Sequence, residues 1–360
     1  MSAPSSSRAI SFRILSRVEQ GGYASDLLRQ ECVGLSERDA ALAENIVFGC
    51  LRRQAQLDHL IGYYAQRHIK LDSEVRIALR MGIFQLRYLD RIPSHAAVSE
   101  SVELVKRAGK RSAAALVNAV LRKVNREPVV WPDVATEFSM SGWMLGRWHS
   151  QFGGDAAVGI AGAALEEPDS YTNPTTGRQQ DIGAQSIVPL LLAEPGMFVL
   201  DVCAAPGNKT AQILTTGATV VAGDRYLKRL ADVPGGAFRV ALDATGRLPF
   251  AKQFDRILVD VPCSGTGTLA RNPEIKWRLR RQDLGEFQKR QIAILANSLA
   301  CLRDGGKLVY ATCSLEREEN EDVVARLPQI DCQARVLETQ MRLPGREPGD
   351  GFFAAVIARV

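Results

Sequence analysis

The sequence lacks most features that mark secreted, membrane-spanning or metal-binding proteins. It contains no run of 18 consecutive apolar residues, so no segment is long enough to cross a bilayer as a helix. Residues 1–7 are small and polar and lack the apolar core of a signal peptide. The seven cysteines are odd in number and form no C-x-x-C pair, which argues against a disulfide framework and a zinc ribbon. These absences predict a cytoplasmic protein with reduced thiols.

Composition and charge give the first positive information. A chain of 360 residues with 46% hydrophobic and 24% charged residues is expected to fold into two domains rather than to be disordered. Residues 1–130 hold 20 Lys and Arg against 13 Asp and Glu, whereas residues 131–360 hold 25 against 27. The basic excess of the first third indicates an anionic partner, most simply nucleic acid. A solvated helix surface explains the charge alone equally well.

Residues 8–126 show helical periodicity without strand alternation, as in the apolar series Ile10, Ile14 and Val18. Helix starts are predicted at Ser36, at Ser94 and at Asp72, whose side chain is expected to cap the helix that follows it. We therefore expect an all-α domain over residues 1–127. Residues 128–180 are predicted to be a linker, with a helical stretch that contains Trp143, Met144 and Trp148 and a short loop at 167–177.

Residues 181–360 are predicted to form an α/β domain. A helix is expected over Ala184–Leu192, followed by short apolar runs that alternate with helical stretches. The predicted strands are Met197–Leu200, Thr219–Gly223, Phe238–Leu242, Arg256–Val259 and Lys307–Ala311. Such alternation predicts a Rossmann-like parallel sheet with helices on both faces.

Acidic residues follow four of these strands. Asp201 opens a loop of small residues that ends at Thr210, and Asp224, Asp243 and Asp260 close the next three strands. Ligands of open α/β sheets bind at the carboxyl ends of the strands, where an acid can accept from ribose hydroxyls. The loop is neither G-x-G-x-x-G nor a Walker A sequence, so a nucleoside without phosphates, such as S-adenosylmethionine, fits best. The alternative is that each aspartate only caps a following helix.

Two cysteines follow neighbouring strands at the same predicted edge. Cys263 comes shortly after Asp260, and Cys313 follows the fifth strand. None of the four histidines lies after Gly196, so a metal site is not expected. Thiol chemistry beside a methyl donor remains. A thiolate that adds to C6 of a cytosine makes C5 nucleophilic, especially when an acid protonates or hydrogen-bonds N3.

Several segments resemble known families. The C-terminal part resembles the RNA cytosine-C5 methyltransferases, and the whole chain is similar to their RsmB (Sun/Fmu) branch, bacterial enzymes that act on 16S rRNA. The N-terminal third resembles a NusB-like RNA-binding domain. The segments that carry the methyltransferase resemblance are DVCAAPGNKT (201–210), DVPCSGTGT (260–268), RNPEIKWR (271–278) and YATCSLEREEN (310–320). Those that carry the NusB resemblance are RIPSHAAV (91–98) and LVNAVLR (116–122).

The resemblance implies a role for each matching residue. Cys313 is the nucleophile that attacks C6, Cys263 assists release of the RNA, and Asp260 contacts the cytosine edge. Lys209 reaches the reacting groups, unless it is a helix-surface lysine. The S-adenosylmethionine pocket is implied at Cys203, Ala204, Ala205, Pro206, Gly207, Asn208, Lys209, Asp224, Asp243 and Asp260. A basic stretch could hold RNA phosphates or be solvated: Arg271, Lys276, Arg278, Arg280 and Arg281.

The sequence departs from the family at two places. Asn208 stands where a second glycine is usual, and we expect it to tolerate a left-handed backbone. The segment before Asp181 is short, with Tyr171-Thr-Asn as the remnant of an Arg-x-Asn signature. We expect a monomer that methylates 16S rRNA. The alternatives are the same chemistry on tRNA or another RNA, and a non-catalytic RNA-binding ribosome-assembly factor. A protein or small-molecule methyltransferase would leave the two thiols unexplained.

Overall fold

A computed structural model describes residues 6–66, 70–251 and 253–359, and these form two compact units. The first consists of the chain up to Glu167 together with Ala270–Arg278. The second consists of Pro168–Leu269 and the chain from Leu279 onward. The prediction that residues 1–7 are not part of a signal peptide falls largely on residues 1–5, which lie outside the described residues. No described helix is both long and apolar enough to cross a membrane.

The first unit is helical, as its periodicity predicts. Ser36 caps its helix as expected, because its hydroxyl accepts from the Asp39 N–H at 3.1 Å. Asp72 does stand at a helix start, but the prediction that its side chain caps that helix is wrong, since the carboxylate pairs with Lys110 Nζ at 2.9 Å. The helices are α1 (Ser6–Glu19), α2 (Ala24–Glu31), α3 (Glu37–Arg52), α4 (Gln54–Ala65), α5 (Ser73–Tyr88), α6 (Ser94–Arg107), α7 (Ala114–Leu121), α8 (Val134–Glu137), α9 (Gly142–Phe152) and α10 (Gly154–Ala163).

Apolar stripes of α1–α7 form one core. Ile14, Leu57 and Leu79, from three different helices, have no exposed surface. The tryptophan-bearing stretch predicted in the linker is α9, where Trp148 is fully buried. α9 packs on α10 within the same compact unit, which continues to Glu167.

The second unit is built on a sheet that has seven strands among the described residues. The strands are β1 (Phe198–Asp201), β2 (Thr219–Asp224), β3 (Phe238–Ala241), β4 (Phe254–Asp260), β5 (Leu302–Thr312), β6 (Ala334–Arg342) and β7 (Phe352–Arg359). Their order is β3-β2-β1-β4-β5-β7-β6. The first five strands are parallel, and Asp260 at the end of β4 pairs with Ala311 near the end of β5. This register brings the carboxyl ends of neighbouring strands to one edge.

All five predicted strands are present, but the sheet is mixed rather than parallel. β7 pairs antiparallel with both β5 and β6, and neither β6 nor β7 was predicted. The continuous helix expected over Ala184–Leu192 is also wrong. The chain forms one short α-helix and a separate 3₁₀ turn at Val188–Leu191, because Pro189 cannot donate the backbone hydrogen bond that a continuing helix requires.

Apart from the helix at Ile275–Arg278, which belongs to the helical unit, the remaining helices and turns lie in the second unit. The remaining α-helices are α11 (Ile182–Gln185), α12 (Asn208–Leu214), α13 (Ile275–Arg278), α14 (Leu284–Leu299), α15 (Glu321–Val324) and α16 (Leu327–Ile330). The 3₁₀ turns that bear on the site are Arg229–Asp232, Thr266–Thr268 and Arg317–Glu319.

The segment Ala270–Arg278, which includes α13, packs within the helical unit although it follows Cys263 in sequence. Lys276 is 1% exposed, and its ammonium donates to the Arg52 carbonyl at 2.6 Å. Burial, together with neighbouring arginines, holds the pKa of Lys276 well below its ordinary value. The interpretation that Lys276 holds RNA phosphates is therefore wrong. Arg280 and Arg281, just after this segment, are exposed.

Candidate active site

A cavity of about 330 Å³ opens at the carboxyl ends of the parallel strands. Five of the positions predicted for a cofactor line it: Cys203, Ala205, Asp224, Asp243 and Asp260. Its further lining residues, which the sequence reasoning missed, are Val202, Arg225, Tyr226, Arg229, Leu242, Ala244, Thr245, Val261, Pro262, Arg290 and Ile294. The cavity therefore combines carboxylate acceptors with apolar walls.

The loop after β1 forms one wall of this site. Gly207 has a φ of +98°, and a Cβ there would lie 2.7 Å from the Val233 Cα, so both backbone angle and space require glycine. Asp224 fixes the loop from the end of β2, because its carboxylate accepts from the Ala205 N–H at 3.3 Å. The same carboxylate accepts from the Tyr226 N–H at 3.0 Å. Small residues thus let the backbone of this loop run close to the cavity.

Asn208 does not adopt the left-handed conformation expected of it. The left-handed residue is Gly207, and Asn208 begins α12 in ordinary helical geometry. Its side chain accepts from Arg178 Nε at 2.8 Å and donates to the Gln179 carbonyl at 3.0 Å. The sequence reasoning missed Arg178, whose partner is distant in sequence. Asn208 therefore links the cofactor loop to the short segment before Asp181.

Asp201 does not face the cavity with the other three acids. It is 1% exposed and accepts from the Thr210 hydroxyl at 2.7 Å. Burial raises the pKa of Asp201 to about 7, and the neighbouring Asp260 and Asp224 carboxylates add to the shift. Asp201 therefore holds the loop after β1 in place through its hydrogen bond with Thr210. The expectation that four acids face one crevice is wrong for this residue.

The raised pKa of Asp201 predicts a pH-dependent gain of stability in Asp201→Asn. From about pH 4 to about pH 7 the unfolded chain ionises this group while the folded protein keeps it protonated, so the native protein loses stability as pH rises. The amide variant escapes this loss and can still accept from Thr210. Its advantage in the free energy of unfolding should grow across that interval to about 4 kcal/mol at most. Urea unfolding at several pH values measures it, and parallel pH profiles would contradict the assignment.

Lys209 and Asp260 form a close ion pair. Lys209 Nζ lies 2.6 Å from Asp260 Oδ2, and the side chains are 13% and 27% exposed. Burial alone would lower the pKa of Lys209, but the Asp260 carboxylate outweighs it and raises the pKa. The negative charge that a Cys313 thiolate would carry also favours the protonated lysine. Lys209 is therefore part of the site rather than a helix-surface lysine.

The two thiols predicted to share the edge do meet there. Cys263 Sγ and Cys313 Sγ are 3.3 Å apart, and both side chains are partly buried. The hydrogen bond to Cys313 and burial hold the pKa of Cys263 well above its ordinary value, and the negative charge of Glu319 adds to this. The two thiols are thus close enough to share a hydrogen bond. Glu319, a residue that the sequence reasoning did not single out, contacts the loops of both cysteines.

A third cysteine, Cys203, also lies at this site. Burial raises the pKa of the Cys203 thiol, so Cys203 lines the cavity as an unreactive group. No group of three or more His, Cys, Asp or Glu that could hold a metal ion occurs among the residues that the structure describes.

This sheet, with its cavity at the ends of the parallel strands, has the Rossmann-like architecture, and the family matches define the second unit as an S-adenosylmethionine-dependent methyltransferase. The family described as "16S rRNA methyltransferase RsmB/F" matches residues 188–358, and the NusB family matches residues 5–126. The chain belongs to the RsmB family of rRNA methyltransferases. The resemblance stated from the sequence is thereby confirmed.

Relatives support the family assignment, and solved structures show the same fold. "Ribosomal RNA small subunit methyltransferase B" of Escherichia coli O1:K1 is 33% identical over 414 residues, covering 95% of this chain and 96% of the relative. The protein of the same name from Shigella sonnei strain Ss046 gives the same values. The crystal structure of PH0851 covers 100% of this chain and 99% of its own, with a TM-score of 0.79 at 18% identity, and so shows the fold. A methyltransferase homologue from Pyrococcus horikoshii covers 64% of this chain and 100% of its own, with a TM-score of 0.52 at 22% identity.

The residues of the cavity fit S-adenosylmethionine. Asp224 and Asp243 supply carboxylates for hydroxyl and amine donors, and the side chains of Leu242, Val261 and Ile294 offer apolar surface to a purine. Asp260 lies where the cavity meets the Lys209 ammonium. S-adenosylmethionine is therefore the cofactor that this site is built to hold.

Proposed function

We propose that this protein methylates C5 of a cytosine in 16S rRNA through a covalent bond between Cys313 and C6. The observation that carries the proposal is the 3.3 Å approach of Cys263 and Cys313. A carboxylate–ammonium pair and the cofactor cavity lie at the same strand ends. A single thiol would suffice for nucleophilic attack, so a second thiol at this distance indicates a second task.

Each residue of the site has a role in this reaction. The Cys313 thiolate adds to C6, and Asp260 donates a hydrogen bond to N3 with the proton that it shares with the Lys209 ammonium, so that the electron pair of the C5–C6 double bond becomes available at C5. S-adenosylmethionine supplies the electrophilic methyl group. A base then removes the C5 proton, the double bond re-forms, and Cys313 leaves as a thiolate. Cys263 assists this last step, and Lys209 holds Asp260 in place.

RNA binding is assigned to the helical unit. Its NusB-like sequence and the basic excess of residues 1–130 suit a phosphate backbone. The target cytosine must leave its stack to reach the two thiols. We propose that the protein acts on RNA as a monomer, without a metal ion, in the cytoplasm.

Methyl transfer from tritiated S-adenosylmethionine to protein-free 16S rRNA tests the substrate. We expect label at one cytosine and little or none in tRNA offered at the same concentration. Assembling small-subunit particles form a third arm, since the short segment before Asp181 removes potential RNA contacts. Label in tRNA alone would overturn the rRNA assignment. No label in any RNA, together with no S-adenosylmethionine binding by calorimetry, would favour a non-catalytic assembly factor.

A further inference from the structure

A buried carboxylate lies directly behind the two thiols and is not used by the reaction above. Glu319 is 0% exposed and ends the 3₁₀ turn that follows β5. Each thiol is followed in sequence by a serine, so Ser264 and Ser314 occupy equivalent positions in the two loops. Both serines are buried and both contact Glu319. The carboxylate therefore contacts both cysteine loops at once.

Four donors satisfy this carboxylate. Oε1 accepts from the Ser264 N–H at 2.8 Å and from Gln291 Nε2 at 2.9 Å. Oε2 accepts from the hydroxyls of Ser264 and Ser314, the latter at 2.5 Å. A buried carboxylate costs much free energy unless its lone pairs are filled, and here all four donors come from neutral groups. Two donors point at each carboxylate oxygen, so this position requires a side chain that accepts hydrogen bonds through both oxygens.

The neighbouring residue completes the arrangement around Cys313. Asn320 is also fully buried, donates to the Ser314 carbonyl at 2.9 Å and accepts from the Thr312 hydroxyl at 2.6 Å. Glu319 and Asn320 thus hold Thr312 and Ser314, the residues on either side of Cys313, in place. The Gly267 N–H donates to the Cys313 carbonyl at 2.9 Å and joins the two loops by backbone as well.

We propose that Glu319 is a positioning residue that sets the separation of Cys263 and Cys313 by fastening their two loops to one carboxylate. The proposal deepens the function proposed above, because addition by one thiol and release with help from the other both require that separation. The hydrogen bonds of Glu319 go to Ser264, Ser314 and Gln291, so it acts on the two thiols through the serines that follow them.

The test measures thiol separation independently of methyl transfer. Diamide takes two electrons and two protons from the thiol pair, so that an S–S bond forms and the N=N bond of diamide becomes a hydrazine. Wild-type protein should form the Cys263–Cys313 bond rapidly, as counted by peptide mass spectrometry. In Glu319→Ala the rate should fall about 10- to 100-fold, with a similar fall in kcat and little change in KM for RNA. Asp322→Asn, which removes a half-exposed carboxylate three residues away that pairs with Arg317, should match wild type.

Two further variants keep the test decisive if Glu319→Ala does not fold. Glu319→Gln keeps the shape but replaces one acceptor oxygen by a donor, and Ser314→Ala removes one hydroxyl link. Each should slow oxidation and kcat less than Glu319→Ala does, with Glu319→Gln partly rescuing both. Oxidation and kcat at wild-type rates in these variants would overturn the proposal. If the variants are oxidised slowly but the wild-type protein shows no methyl transfer, the positioning role stands and the proposed function is refuted.

Discussion

Cys313→Ala is expected to abolish methyl transfer while leaving cofactor binding intact. Without the thiolate, C5 of cytosine has no route to nucleophilic character, so the rate should fall by about 10⁴-fold or more, as when other enzymes lose their nucleophile. Cys313 does not line the cofactor cavity, so affinity for S-adenosylmethionine should stay unchanged. Tritium transfer to 16S rRNA measures the first effect and calorimetry the second.

Cys332→Ala is the matched control for this substitution. Cys332 is an exposed free thiol remote in sequence from both catalytic loops, so its loss tests for non-specific effects of thiol removal. It should retain full activity. Methyl transfer that survives in Cys313→Ala would show that the covalent step is wrong, and equal losses in the two variants would point to a general effect on the protein.

The strand ends could be predicted from the sequence because two signals coincide there. A short apolar run followed at once by Asp or Cys places that residue at the carboxyl edge, and β4 with Asp260 behaves in this way. β6 escaped prediction because most of its residues are exposed and its sequence has no apolar alternation. β7 is almost wholly buried and apolar, yet its antiparallel pairing with β5 depends on a partner distant in sequence.

In the site, too, local sequence signals could be recognised, whereas burial and contacts between distant residues could not. Charge in a sequence does not report burial, so Lys276 was grouped with solvent-facing arginines although it lies inside the helical unit. The importance of Glu319 depends on contacts to Ser264, 55 residues away, and to Gln291 on α14. A signal for it was present in the sequence, since a serine follows each candidate thiol and Glu319 lies five residues beyond the second serine, Ser314.

The second large effect is expected for Cys263→Ala, which should accumulate protein covalently bound to RNA. The high pKa of Cys263 arises first from its hydrogen bond to Cys313, and the charge of Cys313 contributes too. Once Cys313 is bonded to C6 both influences disappear while burial and the charge of Glu319 remain, so the pKa of Cys263 falls toward its ordinary value. After Cys263 gives its proton to solvent, we expect its thiolate to be the base that removes the C5 proton. The electrons of that C–H bond re-form the double bond and expel Cys313 as a thiolate.

Without Cys263 this elimination slows, and turnover should fall about 10²- to 10³-fold while the methylated adduct persists. Denaturing gel electrophoresis with labelled RNA measures the adduct as a band of reduced mobility. The double variant Cys263→Ala/Cys313→Ala should form none, because it has no nucleophile. Normal turnover without an adduct in Cys263→Ala would contradict the role in release. It would leave the 3.3 Å approach of the two thiols to be explained by packing alone.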